Sequence, residues 1–493
     1  MSLTDCTHKL KTLMRSLHPV VAIETVEEER VQTLINGIAN ELNLPLMEWS
    51  ITRGLARPPR ELGMNGTEEP SKLLATLYKQ SHEGIYLLKD FSKHLTGAFD
   101  IRLFREVAQK YAGGRSVLVL VDAELKIPAE LESLVARWEM PLPDYHELRA
   151  LLRSVVSRMR AQHKTEMNLQ PNEIEELLRA LNGMTLDCAR RAITYATLVD
   201  GKLSRDDIRT IQQQKAEMVR ARGMLEYYPP SDNLSELGGF QSLKRWLHRA
   251  RVGFTKTAQR LNLSPPRGIC IVGVQGCGKS LAVKAIAREW QQPLLKLDLG
   301  QVYDKYVGES EKNFHKAIAM AEVMAPAVLW IDEIEKAIST GNDELGTSKR
   351  MLGAFLTWLQ EKSASVFVVA TANDLSGLPP ELLRKGRFDE IFFVDLPDRD
   401  ERCQIFEIHL RKRKQEVGEF DLLALIEESE GFSGAEIEQA VTSSLYQSLY
   451  LNKPFTTEMI CAEMTQTVPL SVSRQEDIAM LRAMAQERFV NVR

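Results

Sequence analysis

The stretch Gly273-Val-Gln-Gly-Cys-Gly-Lys-Ser280 decides the fold of this 493-residue chain. It matches the pattern G-x-x-x-x-G-K-[ST] at every fixed position. An apolar run, Gly268–Val272, precedes it and predicts a buried strand, and Leu281–Trp290 follows it with the spacing of an amphipathic helix. Strand, glycine-rich loop and helix in this order predict a phosphate-binding loop, because the loop N–H groups and the helix N-terminus converge on one anion.

The residue types of this loop indicate a nucleotide and a metal ion. Its glycines allow backbone conformations that are closed to other residues. Lys279 is predicted to reach the β- and γ-phosphates, and the Ser280 hydroxyl to ligate Mg²⁺. We therefore predict ATP and Mg²⁺ as cofactors. The predicted nucleotide contacts here are Val274, Gln275, Gly276, Cys277, Gly278, Lys279, Ser280 and Leu281.

Composition and charge limit the classes of partner. The chain carries 63 Lys and Arg against 67 Asp and Glu, a net charge of −4, which argues against nucleic acid as a partner. Six scattered cysteines without a C-x-x-C pair suggest neither a metal site nor a disulfide framework, and they fit a reducing compartment. No apolar run reaches the length of a membrane span. We predict a cytoplasmic protein without a membrane partner.

Strands and helices alternate twice along the chain, which predicts an α/β fold with two P-loop-NTPase-like modules in tandem, each a parallel sheet with helices on both faces. We expect a first module at residues 1–225, with a helical lid at about 147–210. A second large subdomain at 226–395 and a helical lid at 396–493 should follow, ending in a helix from Arg474 to Val490. The prolines in Tyr227-Tyr-Pro-Pro-Ser-Asp232 predict a linker between the modules.

Short sequence motifs recur in the same order in the two modules, which indicates an internal repeat. Gly84–Asp90 stands in the place of Ala327–Asp332, and Ile127-Pro-Ala-Glu-Leu131 resembles Leu378-Pro-Pro-Glu-Leu382. The alternative is that all parallel-sheet folds share this coarse order. The loop Glu24-Thr-Val-Glu-Glu-Glu29 lacks glycine and lysine and is acidic where a phosphate would lie. The hypothesis is that the first module is degenerate and binds no nucleotide.

Polar residues follow the next strands of the second module. Asp332 and Glu333 end an apolar strand, and Asn373 follows the strand after it. Asp332 is predicted to hold the Mg²⁺ shell, Glu333 to polarise the attacking water and Asn373 to orient that water. Arg384 and Arg387 carry guanidinium groups that suit charge on a transferring phosphoryl group. Taken alone, Asn373 is typical of a turn and the arginines of a surface.

In this order the motifs resemble those of the AAA+ ATPases, from about Asn233 to Val441. The resemblance implies that Arg384 and Arg387 are arginine fingers acting on ATP held by a neighbouring subunit. It therefore implies a homo-oligomer, with a hexamer expected. Further positions that it implies are Gly238 near the adenine, Asn373 as sensor, His409, Gly434 and Ala435 in the lid, and Tyr306 in the first pore loop.

The layout also resembles a narrower group, the tandem AAA proteins of conserved plastid and cyanobacterial-type reading frames, in which a module without a P-loop precedes one active module. His18–Thr25, Leu46–Leu55 and Pro469–Ser473 carry that closer match. The resemblance implies Mg-dependent ATP hydrolysis by a ring that remodels or unfolds a protein partner gripped by Tyr306. The alternatives are a nucleotide-gated scaffold or regulator that threads no substrate and, third, a motor on nucleic acid. Neither client nor adaptor is indicated.

Cys277 departs from the family pattern, because Thr or Ser is common at this position. A thiol at a helix N-terminus can have a lowered pKa, which would permit a redox switch on ATP binding. The alternative is that Cys277 is a small filler. The two hypotheses differ in the reactivity that they predict for the thiol.

Overall fold

The structure is a computed structural model, and it describes residues 3–16, 18–58, 63–79, 82–163, 166–167, 169–221, 223–229, 239–298, 309–338, 347–362, 364–375, 377–382, 384, 386–486 and 488–492. The chain divides into two compact units, Met1–Ile211 and Gln212–Arg493. Within the described ranges, none of the helices combines the length and the apolar character that a membrane crossing requires.

The first unit is an α/β structure followed by helices. Its described elements are α1 (Leu3–Arg15), β1 (Val20–Glu24), α2 (Glu28–Leu42), β2 (Leu46–Ser50), β3 (Gly54–Ala56), α3 (Pro70–Lys79), β4 (Ile85–Lys89), α4 (Ala98–Tyr111), β5 (Val117–Asp122), β6 (Val135–Glu139), α5 (Tyr145–His163), β7 (Glu166–Met167), α6 (Pro171–Leu181), α7 (Leu186–Asp200) and β8 (Lys202–Leu203), with 3₁₀ turns at Ser92–His94 and Ala129–Leu134. Helix α8 (Arg205–Ala221) crosses the boundary between the units.

The sheet of the first unit has the strand order β3-β2-β4-β5-β1-β6. Its central strand β5 is buried at every residue, since a parallel strand covered by helices on both faces can be apolar throughout. Two apolar clusters form, one on each face of the sheet. Trp49, Phe91 and Phe104 belong to one cluster, and α1 and α2 contribute to the other.

The second unit repeats this arrangement. Its described elements are β9 (Leu225–Tyr228), α9 (Gln241–Ala250), α10 (Lys256–Arg260), β10 (Gly268–Gly273), α11 (Lys279–Glu289), β11 (Leu294–Leu297), α12 (Glu309–Val323), β12 (Ala327–Ile331), α13 (Ile334–Ile338), α14 (Thr347–Glu361), β13 (Val366–Ala372), β14 (Glu390–Val394), α15 (Arg399–Lys412), α16 (Leu422–Glu428), α17 (Gly434–Leu451), α18 (Thr457–Gln466), α19 (Leu470–Ser473), α20 (Gln475–Gln486) and β15 (Val490–Asn491), with 3₁₀ turns at Arg251–Phe254 and Val417–Glu419.

The sheet of the second unit has the order β15-β14-β10-β13-β12-β11-β9. Strands β11, β12, β13, β10 and β14 therefore occur in the same order as β2, β4, β5, β1 and β6 of the first unit. Both central strands, β10 and β13, are buried along their whole length. The predicted α/β fold, with two modules built on mostly parallel sheets, is confirmed.

Local details of the helical parts repeat as well. Thr185 caps the N-terminus of α7 and Ser433 caps that of α17, each by accepting a hydrogen bond from a backbone N–H three residues on. Gly183 and Gly431 precede these caps with φ of 84° and 80°, a left-handed conformation that favours glycine. These shared turns make chance a poor explanation of the repeat.

One backbone hydrogen bond marks equivalent residues in the strands β4 and β12. The N–H of Ile85 donates to the carbonyl of Pro45, and the N–H of Val328 donates to that of Pro293. Counted from these anchors, Lys89 and not Asp90 takes the place of Asp332. The correspondence of Asp90 with Asp332 that we expected from the sequence is therefore wrong by one residue.

Asp90 instead corresponds to Glu333. Both residues have a left-handed backbone, with φ of 53° at Asp90 and 48° at Glu333. The two segments do not align on their first acidic residues, because the strand of the first unit ends in lysine. The first unit thus carries a cation at the position of the predicted metal ligand.

Two expectations near the ends of the second unit are also wrong. Tyr227 and Tyr228, expected in a linker, belong to β9, which pairs antiparallel with β11. The alternating burial along β9 explains this, since Leu225 and Tyr227 both face the core. The final helix ends at Gln486, and the chain then adds strand β15 beside β14 instead of continuing as a helix to Val490.

Candidate functional site

A cleft of about 380 Å³ opens at the carboxyl ends of β10, β12 and β13. The loop after β10, the acids after β12 and the residues at the end of β13 line one side, and the helices α15 and α17 of the predicted lid line the other. This is where ligands bind in open parallel sheets, because the loops after parallel strands meet at one edge. The predicted contacts that line it are Gln275, Gly276, Cys277, Gly278, Lys279, Ser280, Leu281, Asp332, Glu333, Asn373, His409, Gly434 and Ala435.

The loop after β10 has the backbone of a phosphate cradle. Gly276 and Gly278 are left-handed, with φ of 78° and 84°. A Cβ at Gly276 would lie 2.9 Å from the Ser433 hydroxyl, so a larger residue would collide with the lid. Helix α11 begins directly after Gly278, which points its free N–H groups toward the cleft. Val274 does not line the cleft but is buried in the adjoining apolar cluster.

Lys279 carries a buried ammonium group in the cleft. Its Nζ donates to the carbonyls of Gly273 and Val274, at 2.8 Å each. Burial lowers the pKa of Lys279 to about 8, although nearby acids oppose this shift. A buried cation held over a ring of glycine backbone fits a phosphate group, since an anion there would supply the countercharge that burial removes.

The surroundings of Cys277 oppose the redox hypothesis. The side chain is buried, and this burial raises the pKa of the Cys277 thiol to about 12, outweighing the nearby Lys279 ammonium, which acts in the opposite direction. The thiolate is the reactive form of cysteine. The helix N-terminus therefore does not activate this thiol, and the description of Cys277 as a small apolar filler fits the structure better.

The acid end of the cleft is organised by a threonine. The Thr371 hydroxyl donates to Asp332 Oδ1 at 2.6 Å and accepts from the backbone N–H of Glu333 at 3.2 Å. The Asn373 amide donates to Glu333 Oε1 at 2.9 Å. Both acids are thus held by residues of β13 and the turn that follows it. The sequence analysis identified Asn373 and missed Thr371, whose signal was a hydroxyl inside an apolar strand.

Lys296 is a second residue that the sequence analysis missed. It lies on β11, next to β12, and its Nζ is 3.1 Å from Asp332 Oδ2. The ammonium also lies 4.5 Å from the centroid of the Trp330 ring. Lys296 therefore places a positive charge against the carboxylate that is predicted to hold Mg²⁺. No short motif signals this pair, because its members lie on different strands.

The lid contacts the loop after β10 directly. The N–H of Ala435 donates to the Gly276 carbonyl at 3.0 Å, and a Cβ at Gly434 would lie 3.4 Å from the same oxygen. His409 lines the cleft from α15, with its Nδ1 3.5 Å from Glu438 Oε1. Gly434 and Ala435 therefore lie at the glycine loop, and His409 lines the same cleft.

The two arginines predicted as fingers lie elsewhere. Arg384 is exposed, and the Arg387 guanidinium donates to the Glu381 carbonyl. Neither arginine is among the described residues that line the cleft. Gly238 and Tyr306 lie outside the described residues.

The first unit holds an ionic network where the second has its glycine loop. The Glu27 carboxylate, in the turn before α2, accepts from the N–H of Leu186 at 2.7 Å, and Leu186 is the first residue of α7. Arg30 pairs with Glu27 at 3.1 Å and with Glu147 of α5 at 2.7 Å. We call Glu27, Arg30 and Glu147 the Glu27 network. It joins the start of α2 to the helices α5 and α7 of the same unit.

The first unit also reverses the charges of the Lys296–Asp332 pair. Lys89, at the position of Asp332, lies 3.9 Å from Glu48 of the neighbouring strand β2 and 3.7 Å from Glu28 of α2, and its Nζ donates to Gln32 Oε1 at 3.1 Å. Glu48 takes the place of Lys296, because both are the third residue of a strand that starts in a Pro-Leu step. Acid and base have therefore changed places between the two units.

Models of known protein families match three parts of the chain. The ATPase family associated with various cellular activities (AAA) matches residues 269–396. The N-terminal domain of SpoVK-like AAA ATPases matches residues 6–140, and the second domain of the same proteins matches residues 146–222. The matches therefore include both units.

Relatives agree with these models, two of them along nearly the whole chain. The uncharacterized AAA domain-containing protein ycf46 of Trieres chinensis is 35% identical over 483 residues, which cover 97% of this chain and 96% of that protein. Its namesake in Guillardia theta is 36% identical over 477 residues, covering 96% and 93%. A cell division cycle protein 48 homolog of Archaeoglobus fulgidus is 32% identical over 216 residues, covering 42% and 29%. The chain belongs to the AAA ATPase family.

Proposed function

We propose that the chain hydrolyses ATP to ADP and phosphate in the cleft of its second unit, with Mg²⁺, and that it does so as a homo-oligomeric ring that remodels a protein partner. The observation that carries the proposal is the hydrogen bond of 2.9 Å from the Asn373 amide to Glu333. Both residues line the same cleft as the glycine loop. A carboxylate fixed beside a phosphate cradle is what activation of water requires. Membership of the AAA ATPase family supports nucleotide use.

The side chains divide the chemistry among them. Lys279 and the loop N–H groups bind the β- and γ-phosphates. Ser280 and Asp332 would hold Mg²⁺, which neutralises phosphate charge when bound. Glu333 accepts the proton of the attacking water, and Asn373 keeps the carboxylate turned toward the phosphate end. Thr371 fixes the relative positions of the two acids through its hydroxyl.

The proposed ring depends on the arginines. Neither Arg384 nor Arg387 is among the described residues lining the cleft, which agrees with the proposal that a neighbouring subunit supplies the guanidinium to a phosphoryl group there. We expect a hexamer. The partner is proposed to be a protein client or adaptor, and the prediction of a cytoplasmic protein without nucleic acid as a partner stands on composition alone.

The first unit is proposed to bind no nucleotide. The Glu27 network supports this, because a carboxylate accepts from the lid N–H at the position where a nucleotide-binding module receives phosphate. An added phosphate would meet the like charges of Glu27 and Glu147. Binding of a nucleotide by the second unit alone, at one site per chain in calorimetry, is the expected result.

The Glu333→Gln variant tests the catalytic proposal. It should bind ATP with unchanged affinity and hydrolyse it at least about a hundredfold more slowly, since the amide cannot accept the proton. Light scattering with and without Mg-ATP should show a shift of this variant from small species to a ring. Glu427→Gln, an exposed acid of α16, is the matched control and should hydrolyse normally. Normal turnover by Glu333→Gln would refute the assignment.

A nucleotide-gated scaffold that threads no substrate is the second candidate. The observation that favours it is the Glu27 network, since a unit fixed by its own side chains suits partner recruitment better than motion. Substitution of Tyr306 distinguishes the two proposed functions. Loss of remodelling with intact ATPase activity in Tyr306→Ala supports threading, whereas retained function in this variant supports the scaffold.

A further inference from the structure

We infer that the end of the chain forms one wall of the nucleotide site and that Val492 contacts the base of the bound nucleotide. We call residues 470–486 and 488–492 the C-terminal strap. The inference rests on the proposed nucleotide site of the second unit. It adds a part of the chain that the glycine loop, the acids and the helices α15 and α17 do not include.

The backbone of the strap is fixed to the sheet beside the cleft. Strand β15 pairs in parallel with β14, with Val490 opposite Phe392. The N–H of Val492 donates to the Phe393 carbonyl at 3.2 Å, and its own carbonyl accepts from the N–H of Ser242 at 2.9 Å. Val492 is therefore held between β14 and the start of α9. Its position is defined by both neighbours and not by β15 alone.

The side chain of Val492 belongs to an apolar wall. It is 3% exposed and packs in one cluster with Phe240 and Val394. All three side chains line the cleft. The polar side chains of Asp332 and Asn373 line the other end of the cleft, where phosphate and metal are proposed to bind. A purine has two apolar faces, so its burial in this cleft is most favourable against the apolar wall that includes Val492.

A charged clamp holds the helix of the strap to the same site. Arg482 of α20 donates through Nε to both oxygens of Asp395, at 2.9 and 3.0 Å, and its Nη2 lies 2.9 Å from Oδ1. Asp395 directly follows β14 and lines the cleft. Paired contacts of this kind add orientation as well as energy. Arg482 therefore connects α20 to the floor of the nucleotide site.

The strap also reaches the lid. The N–H of Leu470 donates to Glu436 Oε1 at 2.8 Å. Glu436 completes the capping box of α17, the helix whose N-terminus contacts the glycine loop. One segment thus contacts the lid at its start and the sheet at its end. By linkage, whatever the docked strap adds to nucleotide affinity, the nucleotide adds to docking of the strap.

The first test compares ligands with and without a base. In the full chain, Val492→Ala should weaken ADP binding about tenfold, the effect expected from trimming an apolar pocket. It should leave the binding of inorganic tripolyphosphate unchanged, because that ligand has no base. Val490→Ala, on the same strand but 39% exposed, is the matched control and should change ADP affinity less than about twofold.

The outcomes separate this inference from the proposed function. Unchanged ADP affinity in Val492→Ala would overturn the inference and leave the nucleotide site intact. Equal weakening of ADP and tripolyphosphate would also overturn it, since it would indicate a general distortion of the site. If the wild-type chain bound neither ligand, the proposed function itself would fail.

The second test measures the strap directly. Saturating ADP should slow hydrogen exchange of the Val492 amide in the wild-type chain. By linkage, the factor of slowing should be about equal to the factor by which the docked strap strengthens ADP binding. Arg482→Met should weaken ADP binding and abolish this protection. Arg474→Met, which removes an exposed pair with Asp477 in the same strap, should do neither. Exchange at Val492 that ADP does not alter would contradict the coupling.

Discussion

Replacement of Arg30 by methionine is expected to destabilise the first unit strongly. The side chain of Arg30 is 8% exposed, and its partners Glu27 and Glu147 are 5% and 19% exposed. Removing one member of a buried ionic group leaves its partners charged and uncompensated, which costs about 3–5 kcal/mol. We expect the free energy of unfolding of the first unit to fall by this amount.

Native-state hydrogen exchange reports this change for one unit within the intact chain. The amides of β5, at the centre of the first sheet, exchange only when that unit opens. A loss of about 3–5 kcal/mol should accelerate their exchange by roughly a hundredfold to a few thousandfold. The amides of β13, in the second unit, should exchange at the wild-type rate.

A matched substitution calibrates the result. Arg102 forms an exposed pair with Glu106, with side chains 65% and 34% exposed, and Arg102→Met should accelerate exchange only about twofold. The triple variant Glu27→Gln/Arg30→Met/Glu147→Gln should regain much of the lost stability, because it leaves no buried charge. If Arg30→Met behaved like Arg102→Met, the argument that these charges fix the lid of the first unit would be refuted.

Three further changes have defined outcomes. Lys296→Met should lower the Mg²⁺ concentration that half-saturates ADP binding, measured by calorimetric titration, since it removes a cation 3.1 Å from Asp332; an unchanged requirement contradicts this. Thr371→Val should slow ATP hydrolysis about tenfold or more at unchanged ADP affinity, and Thr371→Ser should restore the rate. Burial raises the pKa of Asp122 to about 6. Its ionisation therefore reduces the free energy of unfolding as pH rises from about 4 through 6, by up to about 3 kcal/mol, and urea titrations of Asp122→Asn should lack this fall.

The sequence was sufficient to predict the glycine loop and the residues at the strand ends. Its signals are local: a fixed spacing around Lys279, and polar side chains at the ends of two apolar runs. Parallel strands bring their carboxyl ends to one edge, so Glu333 and Asn373 were expected to meet, and the structure places them 2.9 Å apart.

Other parts of the site have no local signal. Lys296 and Asp332 meet across strands, and Arg482 meets Asp395 from a helix that follows the lid. Such pairs depend on strand order and on where the chain returns, which periodicity does not reveal. The strand at the end of the chain was hidden for the same reason, since Val490 pairs with β14 only once α20 has ended.

The exchanged pair at the two sheets has an evolutionary consequence. Lys296 with Asp332, and Glu48 with Lys89, each place opposite charges on adjacent strands. If the units descend from a duplicated ancestor, a direct reversal of one charge between these states passes through two like charges side by side. Lys89→Asp alone would set two carboxylates against each other. A carboxylate at this position is therefore compatible with the sheet only after a change at Glu48 or with a bound cation.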